Sequence, residues 1–303
     1  MESPTMRALI DIGSNSLRLQ RALTYADGSW KFLPKELATT RLGKDMDKTG
    51  RLSEKGLQDS LAVMARWHAE LATTPTWAIA TSAVREAADG AAFIDRIATE
   101  FGWSVRIISG DEEAALSFSG AAFGTDPDVD TLVLDIGGGS SEAALGRAGQ
   151  VNWSHSYKLG AVRLSTGRAI SRQELLDLKA HCDAAWLPMP VQPGTVIGVG
   201  GTLTSLAAMD QEMTEYDPQK IQGYEISVER LDWHVERIFS LSLEERRSLP
   251  GLQPKRGDII LAGLVIGQSF LHHYGIASIR AGERDLMEGF FLQQPFHNGP
   301  DSV

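Results

Sequence analysis

The chain has 303 residues, which fits two domains of ordinary size, and its 43% hydrophobic and 22% charged residues exclude a disordered or fibrous protein. A net charge of -10 argues against general binding to nucleic acid or to anionic membranes, because such binding needs a surplus of Lys and Arg. No apolar run approaches the roughly 20 residues needed to span a bilayer, so we expect a cytoplasmic protein.

The first predicted element is a β-hairpin near the start of the chain. Residues 8–19 read as an apolar strand, an acid, a glycine-led turn and a second strand, with Asp-Ile-Gly-Ser-Asn-Ser at 11–16. Hydrophobic periodicity then predicts a strand near 30–38, a helix around 53–71, a strand at 76–80, a helix around 90–101, a short strand at 103–107 and a helix from 111 to about 122.

A second hairpin repeats the first about one domain length later. Residues 132–143 contain Asp-Ile-Gly-Gly-Gly-Ser-Ser-Glu at 135–142, shortly after turn residues at 124–128. We therefore predict two similar domains, residues 1–124 and 125–303. The second half is predicted to contain helices near 171–186, 202–208, 227–239 and 256–273, and strands near 195–199 and 276–280. Alternating strands and helices favour an α/β fold, and a last helix, within about 283–295, is expected to complete the first domain.

The two hairpin tips are candidate phosphate sites. Glycines remove the Cβ atoms that would obstruct close approach, so successive backbone N–H groups can point at phosphate oxygens, and Ser and Asn side chains add donors. Asp11 and Asp135, just before the tips, lie where a carboxylate can hold a hydrated magnesium ion, and Glu142 is a natural third acid. An ordinary hairpin with Asp in its turn explains one copy as well, but the second copy favours a ligand site.

A third glycine cluster, Gly-Val-Gly-Gly-Thr-Leu-Thr at 198–204, follows a predicted strand and opens a helix. Its backbone N–H groups would lie at a helix N-terminus, where anions are favoured. The cluster has neither the dinucleotide-binding nor the Walker pattern, and a turn that only packs strand against helix explains it equally well.

Two further residues are candidates for the chemical step. The segment Ser-Gly-Asp-Glu-Glu-Ala at 109–114 places two glutamates in the first turn of a helix, where interaction with the helix dipole accounts for at least one of them. A glutamate at a domain boundary can also accept a proton from a water aligned with a terminal phosphorus. Arg85 follows a strand, at the edge where α/β sheets usually bind ligands, and could clamp a phosphate with two nitrogens.

Together these motifs resemble the exopolyphosphatase and guanosine pentaphosphate phosphohydrolase (Ppx/GppA) family. The resemblance rests on both hairpin tips and on residues 81–87, 109–114, 159–164, 200–202 and 224–258. It implies two ribonuclease-H-like domains flanking an interdomain cleft, as in actin and the sugar kinases, and magnesium-assisted release of orthophosphate. Position by position, it implies Glu113 as the catalytic base, Arg85 as a second catalytic residue on phosphate, Asp135, Glu142 and Asp11 as metal-side acids, and phosphate binding by Ser14, Asn15, Ser16, Gly137, Gly138, Gly139, Ser140, Ser141, Gly200, Gly201 and Thr202.

The expected substrate is inorganic polyphosphate, with guanosine pentaphosphate as the alternative in the same class. An ATP-binding regulator or kinase is the alternative from another class, because the same fold clamps ATP in sugar kinases and actin. A homodimer is a further expectation from the resemblance.

The chain departs from the family pattern in two places. Larger members continue into helical domains that guide long polymers, whereas this chain stops at Val303, so processive action on long polyphosphate is not expected. Where the family often has Gly-Leu-Arg-Glu-Gly, residues 285–289 are Asp-Leu-Met-Glu-Gly. A phosphate contact from an arginine at the position of Met287 would therefore be missing.

Overall fold

The computed structural model describes residues 3–294, which contain two six-stranded β-sheets. The first sheet consists of β1 (Thr5–Ile12), β2 (Ser16–Thr24), β3 (Trp30–Phe32), β4 (Glu36–Thr39), β5 (Thr76–Ala80) and β6 (Val105–Ile107). The second consists of β7 (Thr131–Ile136), β8 (Ser141–Arg147), β9 (Gln150–Tyr157), β10 (Thr195–Val199), β11 (Glu225–Ser227) and β12 (Ser278–Ala281). Some predicted bounds lie outside the described residues: the outer ends of the two predicted domains, at 1–2 and 295–303, and the end of the predicted last helix, at 295.

The same residues contain twelve α-helices. They are α1 (Met46–Thr49), α2 (Glu54–Leu71), α3 (Ser82–Glu86), α4 (Gly90–Phe101), α5 (Gly110–Ala121), α6 (Arg172–Asp183), α7 (Gly200–Asp210), α8 (Pro218–Ile221), α9 (Val228–Ser240), α10 (Leu243–Arg247), α11 (Ile260–Tyr274) and α12 (Leu286–Gln293). A 3₁₀ turn, Pro254–Arg256, precedes α11. Within 3–294, none of the helices combines the length and the apolar character that crossing a lipid bilayer requires.

The two sheets share the topology of five of their six strands, and only β4 and β11 have no counterpart. The strand order is β3-β2-β1-β5-β6 in the first sheet, where β4 also pairs with β2, and β9-β8-β7-β10-β12-β11 in the second. In each sheet the first strand pairs antiparallel with the next strand of the chain and parallel with a strand that returns after a crossover. The predicted α/β fold with a repeated hairpin is therefore confirmed, whereas the domain boundary at residue 124 stays a prediction.

The same turn closes both hairpins. The backbone N–H of Gly13 donates to the carbonyl of Ser16 at 3.1 Å, and that of Gly137 donates to the carbonyl of Ser140 at 3.0 Å. The last five residues of β1 and all six of β7 are buried, as is typical of central strands covered on both faces. These two strands consequently carry their aspartates to equivalent positions beside the tips.

The helices α5 and α12 connect the two sheets by packing. On α5, Phe118 packs against Val133 of the second sheet, and Leu116 belongs to the apolar cluster of the first. On α12, Phe290 contacts Trp77 of β5, with ring centroids 5.8 Å apart. The last helix therefore lies on the first sheet, although it follows the second in the chain.

The predicted elements are present within three residues of their predicted ends, except that β2 and β8 run on to Thr24 and Arg147 and that two regions differ. The strand predicted near 30–38 is split into β3 and β4 at Pro34, because proline lacks the N–H group that a β-ladder requires. The helix predicted from 256 begins only at Ile260, since the chain turns at Asp258, whose carboxylate binds Arg41 of the first half.

Candidate active site

The two hairpin tips face each other across a cleft between the sheets. A Cβ atom on Gly138 would lie 3.0 Å from the backbone nitrogen of Asn15, and one on Gly139 would lie 2.5 Å from the hydroxyl oxygen of Ser14. The two tips are therefore so close that a side chain at either glycine would require Asn15 or the Ser14 hydroxyl to shift. The tips line a cavity of about 590 Å³ that also reaches Glu113 and the N-terminus of α7.

The cleft presents backbone N–H groups that have no partner within the described chain. Among residues 3–294, the N–H groups of Gly138 and Gly139 donate to no acceptor. At the third glycine cluster, α7 begins without a side-chain cap, because its N-cap residue is Val199. The first N–H groups of α7, at Gly200 and Gly201, consequently lack an intrahelical acceptor. Groups of this kind favour an anion.

Glu113 lines the cleft from the first turn of α5. The helix begins there because the Ser109 hydroxyl accepts a hydrogen bond from the N–H of Glu112 at 3.1 Å. Arg85 Nη1 donates to Glu113 Oε2 at 3.2 Å and to a backbone carbonyl at 2.7 Å, so the arginine holds the glutamate in place. Burial, followed by the negative charge of Glu142, raises the pKa of Glu113 well above its usual range. A carboxylate of raised pKa accepts a proton readily near neutral pH, which suits a general base.

Asp135 and Glu142 lie opposite each other on β7 and β8. The Ser117 hydroxyl donates to Asp135 Oδ2 at 2.8 Å, and the Ser156 hydroxyl donates to Glu142 Oε1 at 2.7 Å. Burial is the main cause that raises the pKa of Asp135 to about 6, and the charge of Asp285 is the next. Burial also raises the pKa of Glu142 to about 8, with the charge of Asp135 as the next cause. Neighbouring buried acids of this kind favour a bound cation or proton.

The acids of the cleft fit a magnesium ion. Asp11 Oδ2 accepts a hydrogen bond from Arg18 Nε at 2.7 Å, but Asp11 Oδ1 is buried and has no hydrogen-bond partner in the described chain. No group of three or more His, Cys, Asp or Glu side chains in residues 3–294 is arranged to bind a metal ion by itself. Magnesium usually needs only one or two carboxylates, because water and substrate phosphates supply the other ligands. The chemistry of Asp11, Asp135 and Glu142 therefore suits this ion.

The buried acids predict a pH-dependent stability in the absence of divalent metal. Because the pKa of Glu142 is about 8 in the folded chain and lower in the unfolded chain, the folded state keeps a proton that the unfolded state releases as the pH rises. We expect the temperature of half-unfolding in EDTA to decrease as the pH is raised from about 5 to about 8. In Glu142→Gln this decrease is expected to be smaller. Thermal melting of both proteins tests this; an equal pH dependence of the two half-unfolding temperatures would show that Glu142 does not have a raised pKa.

Four cations line the cleft, Arg18, Lys35, Arg256 and Arg284, and none of them was predicted from the sequence. Arg18 and Lys35 pair with acids, whereas Arg256 pairs with no carboxylate in the part of the chain that the structure describes. The Arg256 guanidinium lies directly on Gly201, where a Cβ atom would overlap it. Burial, followed by the charge of Arg18, lowers the pKa of Arg256 to about 10, so the side chain stays positive at neutral pH. In the sequence, Arg256 is part of an Arg-Gly-Asp motif at 256–258. Only the fold shows that this motif places Arg256 in the cleft.

Most of the predicted site residues line the cleft, and their predicted roles in catalysis, phosphate binding and metal binding stay predictions. Those that line it are Asp11, Ser14, Asn15, Ser16, Glu113, Asp135, Gly137, Gly138, Gly139, Ser140, Gly200, Gly201 and Thr202. Arg85 lies outside the lining, where it contacts Glu113, and Glu142 is buried. Ser141 donates its hydroxyl hydrogen to the carbonyl of Leu159 at 2.6 Å, so this hydrogen is already engaged.

Sequence comparison finds relatives along most of the chain. A sequence model of the Ppx/GppA phosphatase family matches residues 24–295. The chain is 29% identical over 325 residues to exopolyphosphatase 2 of Mycobacterium tuberculosis. The match covers 95% of this chain and 98% of the relative. It is 28% identical over 312 residues to the bifunctional 3-dehydroquinate synthase/phosphatase of Fusobacterium nucleatum. That match covers 95% of this chain but 46% of the relative, so the chain spans less than half the length of that protein.

A solved structure shows the same fold. The crystal structure of the Aquifex aeolicus member of the Ppx/GppA family is similar with a TM-score of 0.78 and 26% sequence identity, and the match covers 96% of this chain and 97% of that one. This likeness and the repeated strand order confirm the expected pair of ribonuclease-H-like domains. The chain belongs to the Ppx/GppA phosphatase family.

Proposed function

We propose that the chain is an exopolyphosphatase-type phosphohydrolase, which releases terminal orthophosphate from inorganic polyphosphate by attack of a water molecule. The observation that supports this most directly is the position of Glu113, a buried acid of raised pKa in the same cleft as two glycine tips with unpartnered N–H groups. The similarity to exopolyphosphatase 2 of Mycobacterium tuberculosis over nearly its whole length agrees with this reaction.

In this proposal, the glycine tips and the N-terminus of α7 bind the terminal phosphates of the polymer. Backbone N–H groups suit this task, because they carry partial positive charge, hold fixed positions and add no bulk. Arg256, which lies on Gly201, adds a full positive charge. Local donors of this kind allow a chain with a net charge of -10 to bind a polyanion.

Glu113 takes the proton of the attacking water. The water oxygen forms a bond to the terminal phosphorus, the bond from that phosphorus to the bridging oxygen breaks, and the polymer leaves one phosphate shorter. The proton passes to the carboxylate of Glu113, which Arg85 holds in place at 3.2 Å. Positioning and neutralisation of the phosphate charge supply most of the rate acceleration, as in other phosphoryl transfers.

Asp135, Glu142 and Asp11 would hold magnesium, which when bound neutralises charge on the substrate phosphates. Guanosine pentaphosphate is the alternative substrate, since its 5′ phosphates present the same terminal group. A cytoplasmic location, a homodimer and the absence of nucleic-acid and membrane partners belong to the same proposal.

The test is orthophosphate release by the purified protein with magnesium, from short polyphosphate, long polyphosphate, guanosine pentaphosphate and ATP. Faster release from polyphosphate than from guanosine pentaphosphate supports the proposal, and the reverse order assigns the guanosine substrate. No release from any of them, together with binding of ATP, would replace the hydrolase by an ATP-binding regulator or kinase of the same fold.

A further inference from the structure

Two cations of the cleft, Arg18 and Lys35, are already bound by the carboxylate of Asp285. Asp285 Oδ2 accepts a hydrogen bond from Arg18 Nη1, and Asp285 Oδ1 lies 3.1 Å from Lys35 Nζ. Asp285 is only 5% exposed, and it lines the cleft together with both cations. Phosphate oxygens bind arginine and lysine through the same donors, so the carboxylate stands where a substrate phosphate would pair with these side chains.

The start of α12 fixes Asp285 in this position. Asp285 Oδ1 also accepts a hydrogen bond from the N–H of Met287 at 2.9 Å, and the N–H of Asp285 donates to Glu288 Oε2 at 3.0 Å. The two acids thus form a capping box. Glu288 Oε2 also lies 2.8 Å from Lys35 Nζ, which neutralises this cation further. A helix N-terminus, and not a free loop, therefore presents Asp285 to the cleft.

Arg256 provides the contrast within the same cleft. In the described residues it pairs with no carboxylate, and it lies beside the N-terminal N–H groups of α7. The cleft thus combines an unpaired cation beside free N–H groups with two cations that are already neutralised. The fourth cation of the lining, Arg284, lies over the ring of Phe123. An anion that extends from the first region to the second must compete with Asp285.

We propose that Asp285 is an internal competitor for substrate phosphate, which occupies Arg18 and Lys35 and so limits how many phosphates of a chain the cleft can neutralise. The inference rests on the function proposed above. A phosphate that approaches these cations meets the charge of Asp285 in a partly desolvated site, where repulsion between like charges is strong.

The test removes the charge of Asp285 and keeps the helix cap. In Asp285→Asn the amide oxygen can still accept the N–H of Met287, because asparagine and aspartate are equally good N-cap residues. Binding of tripolyphosphate and of orthophosphate is measured by calorimetry with magnesium in a Glu113→Gln background, so that turnover does not consume the ligand. We expect the Kd for tripolyphosphate to fall about tenfold, and that for orthophosphate, which is small enough to avoid Asp285, to change less than about threefold.

Glu283→Gln is the matched control. Glu283 lines the same cleft and would lose the same charge, but its side chain binds Tyr216, and only its backbone carbonyl accepts from Lys35. We expect this variant to change the Kd for tripolyphosphate less than about threefold. The competitor role is wrong if Asp285→Asn leaves that Kd unchanged, or if Glu283→Gln lowers it by the same factor. A parent protein that binds no tripolyphosphate overturns the proposed function, and this inference with it.

Lys35→Met gives a second test if Asp285→Asn unfolds at a lower temperature than the parent. Without the Lys35 cation, the carboxylates of Asp285 and Glu288 are less neutralised, so tripolyphosphate is expected to bind about tenfold more weakly. An unchanged Kd in this variant would show that the charge balance at Asp285 does not control binding.

Discussion

Glu113→Gln is expected to lower kcat for orthophosphate release by about 10²–10⁴-fold, which is the usual contribution of a general base. Glutamine keeps the size of the side chain, and its amide oxygen can still accept a hydrogen bond from Arg85 Nη1, now 3.2 Å from Glu113 Oε2. It cannot take a proton from water at neutral pH. The loss is therefore expected in kcat, with KM changed less than about threefold, and steady-state kinetics on polyphosphate measures both.

Glu112→Gln is the matched control for this substitution. Glu112 lies in the same helical turn, but its carboxylate binds Arg106 and does not line the cleft. We expect the kcat of this variant to equal that of the parent. If Glu113→Gln also retained full kcat, Glu113 would not be the base, and the reaction would need another proton acceptor.

Gly289→Ala is expected to reduce the free energy of unfolding by about 3 kcal/mol, at the upper end of typical overpacking costs. The helices α5 and α12 touch through their backbones: a Cβ atom on Gly289 would overlap the carbonyl oxygen of Leu116 and lie 3.0 Å from the nitrogen of Gly120. Backbone atoms cannot rotate away as a side-chain end can, so α12 has to move. Because Asp285 caps the N-terminus of α12, the same movement is expected to disturb the cations of the cleft.

Gly267→Ala provides the comparison, since it introduces the same methyl group into the buried helix α11. The nearest atoms to a Cβ there are the side-chain ends of Ile136 and Leu203, at 3.3 Å and 3.8 Å. Alanine also favours a helix over glycine by about 1 kcal/mol, so this variant is expected to be as stable as the parent. Urea unfolding followed by circular dichroism measures both variants. Equal stability of the two would mean that α5 and α12 are not in backbone contact.

The features that could be predicted from the sequence are those encoded within short segments. The two hairpin tips combine an apolar strand with a glycine turn, and the structure closes both with the same hydrogen bond, from Gly13 to Ser16 and from Gly137 to Ser140. The cap at Ser109 and the three acids that follow it likewise define the start of α5, and thereby the direction of Glu113. β9 was not predicted, although Val151, Trp153 and Tyr157 alternate with polar residues in its sequence, Gln-Val-Asn-Trp-Ser-His-Ser-Tyr, as is typical of a strand with one solvated face.

The features that could not be predicted depend on residues far apart in the chain. Arg18 meets Asp285 only because α12 returns to the first sheet, and Arg256 meets Gly201 only because a 3₁₀ turn, instead of a longer helix, precedes α11. Short-range patterns contain no information about such pairs. The cations of the cleft, and with them the balance between free and neutralised cations, therefore required the structure.

The most direct measurement is hydrolysis of tripolyphosphate with magnesium in oxygen-18-labelled water, with the label located by mass spectrometry in the products of the parent and of Glu113→Gln. If a water activated by Glu113 attacks the terminal phosphorus, each released orthophosphate contains one labelled oxygen, the diphosphate product contains none, and the variant forms neither product at a comparable rate. Label in the diphosphate would mean attack at the inner phosphorus. Transfer of an unlabelled terminal phosphate to an acceptor other than water would contradict the proposed hydrolase activity.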